Sequence, residues 1–190
     1  MITGTTRVCG IIADPVEHSM SPVMQNFYGE ATGRDLVYVP LKVAEDQVDA
    51  AVKGAYAMNF LGLNVTVPHK QRVIPCLKEI DKAAEAIGAV NTLVRIEGGF
   101  KGYNTDAAGL YRSMEEKGFQ IQGASAILLG AGGAAKAAAY VLMEHGAESV
   151  HIFNRNEDRA RELAAYMNRL AGREMFYPGG LSSWKELPDR

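Results

Sequence analysis

The chain has 190 residues, of which 47% are hydrophobic and 22% charged, and its formal net charge is -2. This composition is typical of a globular protein, and a chain without excess positive charge lacks the field that holds a nucleic-acid backbone. The two cysteines form no metal-binding or disulfide pattern, and no apolar run is long enough for a signal peptide or a membrane span. We therefore expect a cytoplasmic protein with no metal site and with neither a membrane nor a nucleic acid as partner.

The first hundred residues alternate short apolar runs with segments of helical length, a pattern that indicates an α/β domain with a mainly parallel sheet. The predicted strands lie at residues 7–12, 36–41, 60–67, 90–96 and 99–103. The last two flank a glycine turn and predict a hairpin. Ser21 as N-cap, followed by Pro22, predicts the start of the first helix, and apolar spacing predicts a second helix over 44–57.

A second alternating pattern begins near residue 105 and continues to the end of the chain. Predicted helices lie at 105–117, 133–145 and 157–171, and predicted strands at 124–129 and 149–153. A short apolar stretch follows at 175–177. We therefore expect two domains, residues 1–104 and residues 105–190.

Residues 127–135 read Ile-Leu-Leu-Gly-Ala-Gly-Gly-Ala-Ala and place a GxGxxA pattern between an apolar strand and an alanine-rich helix. This is the context of a dinucleotide-binding turn. Gly130 permits the tight turn, Gly132 lets the backbone approach a pyrophosphate, and Ala135 lets the helix pack on the strand. The predicted cofactor-binding residues of the turn are Gly130, Ala131, Gly132, Gly133, Ala134 and Ala135. The alternative interpretation of this pattern is a glycine-rich turn that binds no ligand.

The strand at 149–153 is followed by Asn154 and Arg155, at the point where an NAD enzyme places a carboxylate on the ribose hydroxyls. A cation there suits a 2′-phosphate, and Arg159, on the start of the next helix, can supply a second positive charge. The pattern therefore favours NADP over NAD. The alternative is that both arginines are solvated charges among neighbouring carboxylates, which keeps NAD open. Residues 105–190 are thus predicted to be the first half of a Rossmann nucleotide-binding domain.

Polar side chains of the first domain fall where predicted strands end, and open α/β sheets bind ligands at that position. They are Ser19, Ser21, Asn64, Thr66, Lys70, Asn91, Thr92, Asn104, Thr105 and Asp106. Hydroxyl and amide groups suit a small polyhydroxylated acid, and a lysine with a carboxylate suits proton transfer. Taken singly, Lys70 reads as an exposed lysine and Asp106 as a carboxylate favoured by a helix dipole.

The order and the amino-acid sequences of these segments resemble those of the shikimate dehydrogenase family. The matching segments are Ser19-Met20-Ser21, NVTVPHK at 64–70, GAVNT at 88–92, GYNTD at 102–106 and the glycine turn at 130–135. The resemblance covers about residues 7–170. It implies an oxidoreductase of aromatic amino acid biosynthesis, in the chorismate pathway, that reversibly reduces 3-dehydroshikimate to shikimate with NADP.

The resemblance also implies roles for individual residues. Lys70 and Asp106 would form the catalytic pair, with Lys70 giving a proton to the developing alkoxide. The implied substrate-binding residues are Ser19 and Ser21 for the carboxylate, and Asn64, Thr66 and Asn91. The implied residues at the adenosine phosphate are Asn154, Arg155, Asn156 and Arg159. Asn156 departs from the family pattern, which usually has Thr or Ser there.

Two functional alternatives remain open at this point. A quinate or quinate/shikimate dehydrogenase using NAD would share the same chemistry, and a non-catalytic module that binds a nucleotide or a hydroxy acid would share the fold. Members of the family are longer than 190 residues, so we expect a chain truncated at its C-terminus. Either a monomer or a homodimer paired through a strand of the first domain is compatible with the sequence.

Overall fold

A computed structural model describes residues 2–183, and the chain divides into two compact units, Met1–Asn104 and Thr105–Arg190. The strands are β1 (Arg7–Ala13), β2 (Leu36–Lys42), β3 (Gly62–Val65), β4 (Glu79–Ile80), β5 (Thr92–Ile96), β6 (Gly99–Tyr103), β7 (Ser125–Leu129), β8 (Ser149–Asn154) and β9 (Phe176–Gly180). The α-helices are α1 (Ser21–Ala31), α2 (Val48–Ala57), α3 (Lys82–Ile87), α4 (Thr105–Glu116), α5 (Gly133–Glu144) and α6 (Glu157–Ala171). The predicted α/β class is confirmed.

The first unit is built on a six-stranded sheet with the order β2-β1-β3-β5-β6-β4. β1 runs parallel to β2 and β3, whereas β5 runs antiparallel to both β3 and β6. The carboxyl ends of β1 and β3 therefore lie at one edge of the sheet, and β5 begins and β6 ends at that same edge. This edge carries the polar segments that the sequence singles out in the first domain.

The two faces of this sheet differ in their packing. On β3, Leu63 and Val65 are each 2% exposed and pack in the larger core together with residues of α2. Side chains alternate along a strand, so Asn64 points to the opposite face. A smaller cluster covers that face, formed by Ile11, Ala13, Val16 and Tyr38. Asn64 is thus a polar residue beside a small apolar cluster, close to the sheet edge.

The second unit contains three parallel strands in the order β7-β8-β9. α5 connects β7 to β8, and α6 connects β8 to β9, which is one βαβαβ half of a doubly wound sheet. β7 lies at an edge of this sheet, and its Ile127 and Leu129 side chains are 51% and 63% exposed. No helix within residues 2–183 combines the length and the apolar character needed to cross a bilayer.

The prediction that Ser21 caps α1 is wrong. Met20 occupies the N-cap position without a side-chain cap bond, and Ser21 is the first helical residue. The Ser19 hydroxyl accepts a hydrogen bond from the Ser21 N–H at 3.3 Å, so the serine two positions earlier satisfies that donor. The third strand is also shorter than predicted, since β3 covers only Gly62–Val65.

Candidate functional site

The edge of the first sheet where β1 and β3 end is closed by backbone hydrogen bonds. The Val65 N–H donates to the Asn91 carbonyl at 2.8 Å, and the Val90 N–H donates to the Lys70 carbonyl at 2.7 Å. These bonds join the end of β3 and the segment that follows it to the segment that precedes β5. The structure therefore brings the backbone of Asn64, Lys70 and Asn91 together at one edge, as the sequence pattern requires.

Asn64 lies at the centre of a side-chain hydrogen-bond network. The Tyr38 hydroxyl donates to Asn64 Oδ1 at 2.7 Å. Asn64 Nδ2 donates to the Asn91 carbonyl at 3.4 Å and to Thr92 Oγ1 at 3.3 Å, and the Thr92 hydroxyl donates to Asn91 Oδ1 at 2.9 Å. Burial raises the pKa of Tyr38 above its ordinary value, so this hydroxyl keeps its proton and remains a donor. The network fixes the orientation of the Asn64 amide.

Two hydroxyl-bearing segments lie at the same edge. Ser19 and Ser21 are partly buried and occupy the connection from β1 to α1 and its first helical position. Thr66 follows β3 directly, and its N–H donates to the Ile12 carbonyl at 3.2 Å. The Thr66 backbone therefore remains paired with β1 after β3 has ended. Hydroxyl groups of this kind can donate to a ligand oxygen or accept from a ligand hydroxyl.

Lys70 follows a histidine that anchors the turn after β3. His69 is fully buried, and its Nε2 lies 2.7 Å from the Val43 carbonyl. A carbonyl oxygen only accepts, so Nε2 carries the hydrogen, and Nδ1 has no hydrogen-bond partner among the residues that the structure describes. The His69 N–H also donates to the Thr66 carbonyl at 2.8 Å. Lys70, which is partly buried, is therefore carried by a turn that the core holds in place.

Asp106 lies in the first turn of α4, in the second unit, and is partly buried. A carboxylate at this position is stabilised by the N-terminal end of the helix dipole. The structure therefore describes Lys70 and Asp106 in different units.

The glycine turn between β7 and α5 has the backbone geometry predicted for it. Gly130 has φ of +114°, a conformation that side-chain-bearing residues rarely adopt. Gly132 is the N-cap of α5 with φ of -88°, so its backbone does not require glycine. A Cβ placed on either residue would meet no atom within 4 Å. Both positions therefore face open space, beside the first N–H groups of α5, which lack intrahelical partners and are able to bind an anion.

Because β7 and β8 are parallel, the residues after β8 lie at the same edge as the glycine turn. Arg155 and Arg159 are both exposed there. The nearby Glu157 carboxylate pairs with Arg161 at 2.6 Å, and neither Arg155 nor Arg159 forms an ion pair within the described part of the chain. Their guanidinium groups are therefore not neutralised by the neighbouring carboxylates.

Asn156 is the N-cap of α6. Its Oδ1 accepts hydrogen bonds from the Asp158 N–H at 3.1 Å and the Arg159 N–H at 3.4 Å, and its carbonyl accepts from Asn154 Nδ2 at 2.8 Å. The side-chain oxygen is thus engaged with the helix. Asn156 Nδ2 is the side-chain group that can donate to a phosphate.

Replacing Asn156 with Ala should lower the free energy of unfolding by about 1 kcal/mol, because the N–H groups at the start of α6 lose their acceptor. Asn156→Ser should keep most of the stability, since serine also caps helices. Urea unfolding followed by circular dichroism measures both changes. An alanine variant as stable as the unsubstituted chain would contradict the capping role.

Three residues that lie within or beside these segments were not predicted as site residues. Tyr38 and His69 sit within segments whose pattern indicates only a strand and a turn, and nothing in that pattern shows their partners. Lys136 lies one turn into α5, and burial lowers its pKa, while the Glu162 carboxylate opposes that shift. Its position three residues after Gly133 is a signal that could have been read, since a cation near a phosphate-binding turn is common.

Comparison with known proteins extends over both units. Residues 11–93 match the family model described as the shikimate dehydrogenase substrate binding domain, and residues 113–175 match the model described as shikimate / quinate 5-dehydrogenase. The NADP(+) shikimate dehydrogenase of Desulforamulus reducens is 49% identical over 164 residues, which cover 86% of this chain and 56% of that protein.

Solved structures agree with these matches. A crystal structure of shikimate dehydrogenase in complex with NADP+ superimposes with a TM-score of 0.89 at 37% identity, covering 96% of this chain and 64% of that one. The quinate dehydrogenase of Corynebacterium glutamicum, in complex with NAD, gives a TM-score of 0.82 at 32% identity and covers 95% and 66%. The chain thus spans between one half and two thirds of the length of these relatives.

Proposed function

The chain belongs to the shikimate dehydrogenase family, and we propose that it catalyses the NADP-dependent, reversible reduction of 3-dehydroshikimate to shikimate. The observation that carries this proposal is the hydrogen-bonded edge of the first sheet, which assembles Asn64, Lys70 and Asn91. Amide groups and an ammonium group held there suit a ligand that carries hydroxyl groups and a carbonyl to be reduced.

The substrate contacts follow from the chemistry of the side chains at this edge. The hydroxyls of Ser19 and Ser21 are the proposed donors to the substrate carboxylate, and Thr66 is proposed to bind a substrate hydroxyl. Asn64 and Asn91 complete the set as amides whose orientations are fixed by the Thr92 hydroxyl and their other partners. Donors and acceptors that are already oriented before the ligand binds lower the entropic cost of binding.

Lys70 is the proposed proton donor to the substrate oxygen when the ketone becomes a hydroxyl. A lysine ammonium group has N–H protons to donate, and a positive charge beside the developing alkoxide stabilises it. Asp106 is the second proposed catalytic residue, a carboxylate able to accept a hydrogen bond from a substrate hydroxyl. The nicotinamide cofactor supplies the hydride chemistry when it is bound.

The residues of the second unit fit NADP. The turn Gly130–Ala135 offers open space and helix N–H groups for the pyrophosphate. Asn154, Arg155, Asn156 and Arg159 follow β8 and are the proposed contacts of the adenosine 2′-phosphate. The absence of ion pairs at Arg155 and Arg159 within residues 2–183 supports NADP over NAD.

Gly132→Ala should weaken NADP+ binding by roughly tenfold or more, because the added Cβ enters the space proposed for the pyrophosphate. The same change should leave folding stability nearly unaltered, since this Cβ meets no protein atom within 4 Å and the φ of Gly132 suits alanine. Calorimetric titration with NADP+ and thermal unfolding measure the two effects separately.

Gly109→Ala is the matched control for Gly132→Ala. Gly109 lies within α4, and an added Cβ there also meets no atom within 4 Å. This control should bind NADP+ as tightly as the unsubstituted chain. Equal affinity of the Gly132→Ala variant would remove the glycine turn from the cofactor site.

A quinate or quinate/shikimate dehydrogenase that uses NAD is the second candidate, and the likeness to the Corynebacterium glutamicum enzyme favours it. A non-catalytic module that binds a nucleotide or a hydroxy acid is the third. Steady-state rates with shikimate or quinate, each combined with NADP+ or NAD+, distinguish the first two. Binding of a ligand pair without turnover in any of the four combinations would support the third candidate.

We further propose a cytoplasmic location, supported by the free thiols of Cys9 and Cys76. A homodimer formed through the first unit is also proposed, and light scattering tests it. The edge strand β2 carries Pro40, which cannot donate to a neighbouring strand, so a dimer through β2 would require pairing that avoids this position.

A further inference from the structure

Tyr38 reaches across one whole strand to contact Asn64. Tyr38 is paired with Cys9 on β1, and Cys9 is paired in turn with Gly62 on β3. Neighbouring strands lie about 4.8 Å apart, so the tyrosine ring covers β1 before its hydroxyl meets Asn64 Oδ1 at 2.7 Å. The Tyr38 side chain is 5% exposed and packs with Ile11. It therefore has little freedom to leave this position.

The backbone of Tyr38 is held by Asn26 of α1. Asn26 Oδ1 accepts the Tyr38 N–H at 2.9 Å, and Asn26 Nδ2 donates to the Tyr38 carbonyl at 2.8 Å and to the Pro22 carbonyl at 2.8 Å. Because β2 is an edge strand, these groups would otherwise lack a strand partner. The tyrosine is thus fixed at its backbone and along its ring.

The remaining hydrogen-bonding capacity of the Asn64 amide can be counted. An amide has two N–H groups and an oxygen with two acceptor positions. Asn64 Nδ2 donates to the Asn91 carbonyl and to Thr92 Oγ1, and Tyr38 occupies one position on Oδ1. One acceptor position on Oδ1 has no partner within residues 2–183 and is left for a ligand. A hydroxyl group can fill this position, whereas a ketone oxygen cannot.

We propose that Tyr38 is a positioning residue that keeps the Asn64 oxygen available to a ligand hydroxyl and thereby selects for a hydroxyl at this point of the substrate. The inference rests on the proposed function of the first unit. Without the Tyr38 hydroxyl, the amide is held only through Nδ2, by the Asn91 carbonyl and Thr92 Oγ1, and Oδ1 is no longer fixed in the direction that suits a ligand hydroxyl. Tyr38 therefore acts through Asn64 and needs no contact with the ligand.

Tyr38→Phe removes only the hydroxyl and should weaken shikimate binding by about three- to tenfold, the net worth of one hydrogen bond. Tyr56→Phe is the matched control. The Tyr56 hydroxyl donates to the Ile96 carbonyl at 3.4 Å and accepts the Gly98 N–H at 2.9 Å, so its loss also costs hydrogen bonds within the same unit. Calorimetric titration should show no change in shikimate affinity for this control.

A double-mutant cycle with Asn64→Ala separates positioning from a general structural effect. If Tyr38 acts through the Asn64 amide, Tyr38→Phe should cause no further loss of shikimate affinity in the Asn64→Ala background. Additive losses would overturn the proposal, as would a Tyr38→Phe variant that binds shikimate as tightly as the unsubstituted chain.

A ligand-free measurement keeps the inference separate from the proposed function. The side-chain amide resonances of Asn64, identified by their loss in Asn64→Ala, should shift in Tyr38→Phe and stay unchanged in Tyr56→Phe. Unshifted resonances in Tyr38→Phe would overturn the positioning role. A chain that shows the shift yet binds no shikimate would contradict the proposed substrate and leave the Tyr38–Asn64 coupling established.

Discussion

Lys70→Ala is expected to lower the turnover rate of shikimate oxidation by about 10² to 10⁴, the usual range for a lost general acid or base. The shikimate affinity should change far less, because serine, threonine and asparagine groups supply the binding contacts. The turn that carries Lys70 is held by the buried His69, so the backbone conformation of this turn should not change in the variant. Rates are followed by the absorbance of the reduced cofactor, and affinity is measured by calorimetry.

Lys53→Ala serves as the control for this substitution. Lys53 lies on the surface of α2, paired with Asp49 at 2.7 Å and 74% exposed, and its removal should leave the turnover rate unchanged. A Lys70→Ala variant with unreduced turnover would remove Lys70 from the mechanism. Loss of shikimate affinity as large as the loss of turnover would instead make Lys70 a binding residue.

Arg155→Ala should weaken NADP+ binding by roughly 10- to 100-fold, because a charge-assisted hydrogen bond to the 2′-phosphate is lost. NAD+ lacks that phosphate, so its affinity should stay nearly constant. The prediction depends on Arg155 being exposed and unpaired with any carboxylate in the described residues. Titrations with both cofactors at one salt concentration measure the difference.

Arg161→Ala is the matched control, on the helix α6 that follows Arg155. Arg161 is already paired with Glu157, so its guanidinium is engaged and its removal should affect the two cofactors alike and only slightly. If Arg155→Ala weakened NADP+ and NAD+ to the same degree, Arg155 would not bind the 2′-phosphate, and the preference for NADP would lose its structural support.

The features that could be predicted from the sequence are those with a local cause. The glycine turn was predicted because a GxGxxA pattern stands between an apolar strand and an alanine-rich helix, and the structure gives Gly130 at this turn φ of +114°. The hairpin was predicted because its turn holds Gly98, with φ of +80°. Each of these signals depends on a few consecutive residues and needs no knowledge of the sheet.

Short elements were missed although their end signals are present. α3 is only six residues long, too short to show an apolar period, yet Asp81 caps it by accepting the Ala83 N–H at 3.0 Å, and Gly88 ends it with φ of +66°. β4 has two residues and pairs with β6. Its position is set by this pairing with β6, because two residues are too few to show the alternation of apolar and polar side chains that predicts a strand.

The contacts around Asn64 could not be predicted, because they depend on strand order. Tyr38 and Asn64 are 26 residues apart in the sequence. They come into contact because β2 and β3 both pair with β1, on its two sides. Thr92 reaches Asn64 because β5 runs antiparallel to β3, with Asn64 and Thr92 as direct partners. The sequence identified Asn64 as a polar residue near a strand end, and the topology supplied the partners that orient it.

Titration of the chain with shikimate tests the central claim most directly. The assembled edge of the first sheet predicts saturable binding at one site, weakened by roughly tenfold in Asn91→Ala, which loses a buried amide contact. Asn59→Gly, a change at the opposite edge of the sheet where the φ of 63° suits glycine, should bind as the unsubstituted chain does. Absence of binding, or equal affinity in Asn91→Ala and Asn59→Gly, would contradict a substrate site at this edge.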